Sequence, residues 1–232
     1  MGSHTRRVRH LSTTAGVVLL VAGVVAIVAF VTAQQHAPQP PASAARPIPI
    51  HPSVSVSAAP PAGSSPAPSP SVSGPVLARS LPVTVRIPSI GVDSSLGPIG
   101  LTATGEIRTP PLDRDSHAYW LDVSPTPGQP GPAVILGHVD SAAYGPAVFF
   151  RLGDVRPGDR IYVTLADGQV GVFEAQQVVE YRKADFPTLT VYGNTKYAAL
   201  RLITCGGTFD RSIHSYESNI VVFAELISSQ PA

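Results

Sequence analysis

The chain has 232 residues, a formal net charge of +1 and a single cysteine. Its charges are scattered, with no basic stripe interleaved with aromatics, which excludes nucleic-acid binding as a reading. One cysteine excludes an intramolecular disulfide and leaves a lone thiol that is either inert and buried or reactive.

Residues 1–14 form a basic tail that includes Arg6, Arg7 and Arg9. Residues 15–33 (AGVVLLVAGVVAIVAFVTA) carry no charge over 19 positions. As a helix this segment would span about 28 Å, close to a bilayer core. The arginines place the N-terminus on the cytoplasmic side and everything after Ala33 outside. A cleaved signal peptide is the rival reading, because Val31-Thr32-Ala33 resembles a cleavage site. Signal h-regions are shorter than this block, so an uncleaved transmembrane anchor is expected.

Residues 34–80 are rich in Pro, Ala and Ser and read as a disordered linker. Proline removes backbone donors, and the segment lacks the apolar content to fold. Fully extended in polyproline geometry it would reach on the order of 140 Å, enough to hold a domain away from a membrane and within a thick wall.

Residues 81–227 are the folded domain, with 228–232 as a tail. At roughly 150 residues such a domain needs no disulfide or metal to fold. Short β-branched runs recur at 83–87, 133–136, 160–165, 171–175, 199–204 and 219–224. Turn signals separate them, among them Pro157-Gly158-Asp159, Asp167-Gly168 and Gly206-Gly207. This pattern predicts an all-β barrel or sandwich, and Asp167-Gly168 predicts a hairpin turn. One short helix is expected at 147–152. The sequence carries no GxGxxG, P-loop, HExxH, EF-hand loop or zinc-type cysteine pair. No cofactor and no metal are therefore expected.

Three residues stand out chemically. Cys205 closes the strand-like run Leu200–Thr204 and precedes Gly206-Gly207, so the sheet would hold it while its thiol stays at the rim. The glycines would admit a substrate carbonyl and leave backbone N–H groups nearby. The competing reading is a structural thiol. His138 closes the run Ala133–Gly137 in the same way, 67 residues earlier. Adjacent strands ending at one rim would bring thiol and imidazole together, as nucleophilic cysteine chemistry requires. For any single histidine, a satisfied edge residue is the competing reading. Arg211 could donate two hydrogen bonds to an oxyanion, or could simply pair with Asp210 on a surface loop.

These residues carry a resemblance to sortases, the cysteine transpeptidases of Gram-positive surfaces, over about Pro82 to Ala224. Leu202-Ile203-Thr204-Cys205 looks like the family's TLxTC nucleophile strand, and Gly137-His138-Val139-Asp140-Ser141 looks like its histidine segment. Gly145–Phe150 and Thr204–Asp210 look most like class F, an actinobacterial group. The resemblance implies a closed eight-stranded β-barrel with one or two short helices. It implies cleavage of an LPxTG-type sorting signal between Thr and Gly and transfer of the acyl group from Cys205 to a cell-wall amine of lipid II type. Cys205, His138 and Arg211 would be catalytic. Thr204 and Gly206 would contact substrate, and Phe186, Pro187 and Leu189 would line the sorting-motif pocket. One departure is visible. In several sortase classes the arginine lies on the last strand, near the position of Asn219, and no arginine occurs between Ser212 and Ala232.

The expected partners are thus LPxTG-type surface proteins, the wall-precursor amine and the membrane, with the domain outside the cell. Two rival functions share the residue pattern. One is another exported cysteine-dependent peptidoglycan transpeptidase or hydrolase, which would place Cys and His close in sequence. The other is a non-catalytic surface binding module, in which Cys205 would be inert.

Overall fold

A computed structural model describes residues 37–41, 72–112 and 114–232. The expected tail and anchor at 1–33, and most of the expected linker, lie outside these residues. Among the described residues no helix is long and apolar enough to cross a membrane.

Eight strands close into a barrel. β1 (Pro82–Ile87) pairs antiparallel with β2 (Val92–Ile99) across a 3₁₀ turn, Pro88–Ile90. Gly91 ends that turn at φ 72°, a left-handed position that favours glycine. β2 runs parallel to β3 (Ala118–Leu121), and β3 is antiparallel to β4 (Gly131–Leu136). A small hairpin, β5 (Asp140–Ser141) and β6 (Gly145–Pro146), lies outside the barrel. β7 (Arg160–Leu165) and β8 (Gln169–Arg182) form the hairpin expected at Asp167-Gly168, with Gly168 at φ 82°. β9 (Ala198–Asp210) and β10 (Ser215–Pro231) complete the order β1-β2-β3-β4-β9-β10-β8-β7, with β7 returning to β1.

Among the described residues the helical content is small. α1 is a single five-residue helix, Thr188–Tyr192, in the β8–β9 connection. The helix expected at 147–152 is instead a series of turns that ends in a 3₁₀ segment, Leu152–Asp154.

Alternation along the strands builds two apolar clusters. Val85, Ile87, Ile135, Phe173, Leu200, Leu202 and Ile220 fill the barrel interior. Val134, Leu136, Ile203, Val221 and Phe223 form a second cluster on the outer face, covered by Val191 of α1 and partly by Phe186 and Tyr192. β4 is buried along its whole length because both of its faces are covered. This outer cluster is the floor on which the candidate site is built.

Both ends of the folded unit differ from the expected boundaries. Residues 72–80, expected as linker, run along the barrel. Ser73 N–H donates to Lys196 O and Leu77 N–H to Gly128 O, each at 2.8 Å. Residues 228–231, expected as tail, continue β10 against β8 as far as Pro231 opposite Gln169.

Candidate active site

The two residues singled out in the sequence follow neighbouring parallel strands. β4 and β9 are parallel neighbours with Leu136 in register with Ile203. The pairing continues one step further, where Gly137 N–H donates to Ile203 O at 3.1 Å. Leu136 and Ile203 both belong to the outer cluster. Continued two residues past that pair, the two-residue alternation turns His138 and Cys205 toward the same outer face. The strands that carry them are about 5 Å apart. Cys205 is free and half-buried.

His138 is held at its ring and at its backbone. Its Nε2 donates to Pro110 O at 2.9 Å. A carbonyl only accepts, so Nε2 carries the proton and Nδ1 remains as the basic nitrogen. The backbone is fixed by the returning loop, with Phe149 N–H donating to His138 O and Ala147 N–H to Val139 O, both at 3.0 Å. Gly137 makes that return possible. A Cβ there would lie 2.6 Å from Phe149 Cδ2 and 2.7 Å from Val148 Cγ1.

A second clasp joins the two halves of the site. The Tyr216 hydroxyl, on β10, donates to Asp140 Oδ2, two residues past His138. The Tyr216 pKa is raised. Burial is the main cause, followed by the hydrogen bond to and charge of Asp140, and then by the charge of a Cys205 thiolate. The phenol therefore sits within electrostatic reach of the thiol and stays a donor. Phe209 packs edge-on against the Tyr216 ring. Neither Pro110 nor Tyr216 carried a signal in the sequence, because their roles come from loops and strands distant in the chain.

Across the β9–β10 ladder the residue opposite Cys205 is Asn219. Directly opposed side chains share a face with Cβ atoms about 5 Å apart. Arg211 lies elsewhere. It is exposed at the start of the turn after β9, about 20 Å along the chain from Cys205 at the strand rise.

The expected substrate contacts divide. Thr204 is buried, alternates with Leu200 and Leu202 toward the barrel interior, and its hydroxyl has no hydrogen-bond partner among the described residues. Its side chain is thus on the opposite side of β9 from Cys205. Gly206 is buried against Ile220, where a Cβ would come within 2.6 Å of Ile220 Cγ1. Phe186, Pro187 and Leu189 belong to the β8–β9 connection that covers the outer face. Phe186 packs against Tyr181 and Tyr192, while Leu189 is 88 % exposed at the surface of α1.

Arg201 went unremarked in the sequence. It lies four residues before Cys205 on the same face of β9 and is almost fully buried. Its guanidinium stacks 4.5 Å over Phe223, and its Nε donates to Val191 O at 3.2 Å. Burial lowers its pKa, an effect opposed by the hydrogen bond and charge of Tyr197. This arginine pins α1 to β9 and so fixes the covering loop over the outer face.

The arrangement can perform nucleophilic acyl chemistry: a rim thiol, an oriented imidazole, and a side-chain amide across from the thiol. A family model described as "Sortase domain" matches residues 85–227. No curated protein matches the chain. Among solved structures, the chain is similar to a sortase C1 from Streptococcus agalactiae in complex with MTSET, at 17 % identity and TM-score 0.50, covering 66 % of this chain and 70 % of that one. It is also similar to a sortase A from Listeria monocytogenes (18 % identity, TM-score 0.49, 67 % and 92 % covered). A sortase A from Corynebacterium diphtheriae matches at 21 % identity and TM-score 0.49, with 65 % and 62 % covered.

Proposed function

The chain belongs to the sortase family of cysteine transpeptidases, and on that premise we propose that it cleaves an LPxTG-type sorting signal and joins the product to a cell-wall amine. The observation that supports this reading is the parallel register of β4 and β9, strands whose continuations carry His138 and Cys205.

The steps follow from the residues present. The Cys205 thiolate attacks the carbonyl carbon of the signal's Thr, forming a C–S bond and an oxyanion. Asn219, opposite Cys205, donates its amide N–H to that oxyanion. The Thr–Gly C–N bond then breaks, and protonated His138 gives its proton to the leaving amine. A thioester remains on Cys205. An incoming amine, such as the stem peptide of a lipid II-like precursor, attacks the thioester and loses a proton to His138. The C–S bond breaks and the thiolate is regenerated. Tyr216 and Asp140 hold the two halves of the site in place during both steps.

Arg211, carried on the hairpin turn, binds the backbone of the sorting signal. Phe186, Pro187 and Leu189 contact its apolar residues from the covering loop. The segments Ala133–Ser141, Gly145–Phe150 and Thr204–Asp210 support a class F assignment within the family. Residues 15–33 anchor the chain in the membrane with the barrel outside, and the linker spaces the barrel from the bilayer.

The test is mass spectrometry of the protein mixed with an LPxTG-type peptide and triglycine. Peptide cut after Thr and joined to the amine is expected, with loss of product in Cys205→Ala and in His138→Ala. Absence of both product and thioester across several sorting motifs would refute the substrate assignment.

A further inference from the structure

The two sides of the thiol along β9 are built differently. Arg201, four residues before Cys205, is almost fully buried and holds α1 through Val191 O. Phe209, four residues past Cys205, faces Tyr216 across the β9–β10 ladder and packs against its ring. The Tyr216 hydroxyl donates to Asp140 Oδ2. The covering loop and the Asp140 carboxylate therefore flank the thiol from opposite ends of β9.

Asp140 is held but not neutralised. It is half-buried, lies two residues past His138 and opens the small hairpin opposite Pro146. Among the described residues its one side-chain hydrogen bond is from Tyr216 to Oδ2, and Oδ1 is unengaged. The ion pairs of the described residues, Arg151–Asp154 and Arg160–Glu174, do not include it. Arg114, which meets the same hairpin, lies over the Tyr144 ring instead, 5.9 Å from its centroid. A phenol supplies a hydrogen bond but no positive charge. A partly desolvated carboxylate fixed in this way favours a cation that donates to its second oxygen.

We propose that Asp140 is the docking point for the ammonium group of the acyl acceptor, and that it selects primary amines with no carboxylate beside the nitrogen. The inference rests on the reading of Cys205 as the nucleophile and His138 as its partner. The acceptor arrives protonated, since aliphatic amines have pKa values of about 8 to 10. An acyl group on Cys205 that extends toward α1 leaves its carbonyl carbon open from the Asp140 end. The docked ammonium releases one proton to solvent and attacks that carbon as the free amine. The C–N bond forms, the C–S bond breaks, and the second proton passes to His138, which restores imidazolium and thiolate. Water is uncharged and gains nothing from the carboxylate, so Asp140 favours transfer over hydrolysis. An acceptor with its own carboxylate next to the amine is repelled.

The experiment uses the full chain in detergent. Cys205 is acetylated with p-nitrophenyl acetate and freed of reagent, so that no sorting signal is needed. The acetyl-enzyme is then offered glycinamide or glycine, and proton NMR counts N-acetyl product against acetate. Each ratio is taken relative to that of an S-acetylcysteine peptide free in solution. Asp140→Asn keeps an acceptor for the Tyr216 hydroxyl and removes only the charge. Wild type is expected to prefer glycinamide by about tenfold, the worth of one charge-assisted hydrogen bond. Asp140→Asn is expected to lose that preference and about the same factor in the ratio of transfer to hydrolysis, and Asp140→Glu is expected to keep the preference. Equal transfer to the two acceptors in wild type would overturn the proposal without recourse to a variant. An unchanged ratio in Asp140→Asn would leave the residue a clasp alone and overturn the acceptor site. A Cys205 that resists acetylation would remove the nucleophile and the proposal with it. Failure of the sorting-signal reading is seen separately, as absence of a thioester when a sorting peptide is offered.

Discussion

Asn219 stands directly opposite Cys205 in the β9–β10 ladder, on the face that also carries His138. The residue directly across the ladder from the thiol is therefore an amide, while Arg211 sits in the turn at the far end of the hairpin. Asn219→Ala is expected to lower kcat by about 10²-fold with little change in KM, the usual loss for one oxyanion donor. Arg211→Ala is expected to raise KM and leave kcat within about threefold, as for a group that binds substrate and transition state alike. Steady-state kinetics with a sorting peptide check both. The reverse pattern would return the oxyanion role to Arg211.

Thr204 has its hydroxyl buried on the interior side of β9, without a partner among the described residues. Replacing it by valine removes an unsatisfied polar group at nearly constant shape. Thr204→Val is expected to stabilise the barrel by about 1 kcal/mol and to leave kcat/KM within about twofold. Chemical denaturation and ligation kinetics read the two effects. A large loss of activity would mean that the hydroxyl reaches the substrate after all.

Gly137 has no room for a side chain, since its Cβ would overlap Phe149 and Val148. Gly137→Ala must push the returning loop away from the His138 backbone. A cost of about 2 kcal/mol is expected, in line with overpacking elsewhere. The rate should fall more steeply than the stability, because His138 moves relative to Cys205. Comparing activity well below the melting temperature separates the two effects.

Tyr216 keeps its proton to higher pH than an ordinary tyrosine, chiefly through burial and then through Asp140. A group whose pKa is raised on folding contributes stability that is complete below its unfolded pKa and is lost as pH rises through the folded one. The Tyr216–Asp140 clasp should therefore be intact throughout the neutral range and up to about pH 10, the ordinary tyrosine value. In an absorbance titration, Tyr216→Phe should remove amplitude only from the high-pH end. It should also reduce kcat more than KM and alter the pH profile of Cys205 alkylation. A melting-temperature change with unaltered kcat and unaltered alkylation profile would make the clasp structural alone.

Much of the fold was legible because its causes are local. Alternating β-branched residues in β1 and β7 mark one buried face, and Asp167-Gly168 marks the tight reversal between β7 and β8. β4 is also readable as a strand, but its burial on both faces follows from the cover provided by α1, which its own residues do not encode. The segment 147–152 shows the opposite failure. Its apolar run resembles a short helix, yet it is folded into turns by packing against Gly137 and by bonds to the His138 and Val139 backbone.

By itself, the sequence determined the all-β class, singled out Cys205 and His138 at strand ends, and carried the family resemblance. Each of these is written in residue types at strand ends and in turns, where local propensity dominates. Only the tertiary structure decided which amide faces the thiol, that Thr204 points inward, that Pro110 and Tyr216 orient the two halves of the site, and that Gln39 reaches Gly207. Those contacts join residues as many as 168 positions apart. Closure of the barrel sets them, through strand register and the two-residue alternation of faces, and no local pattern along the chain reports that register.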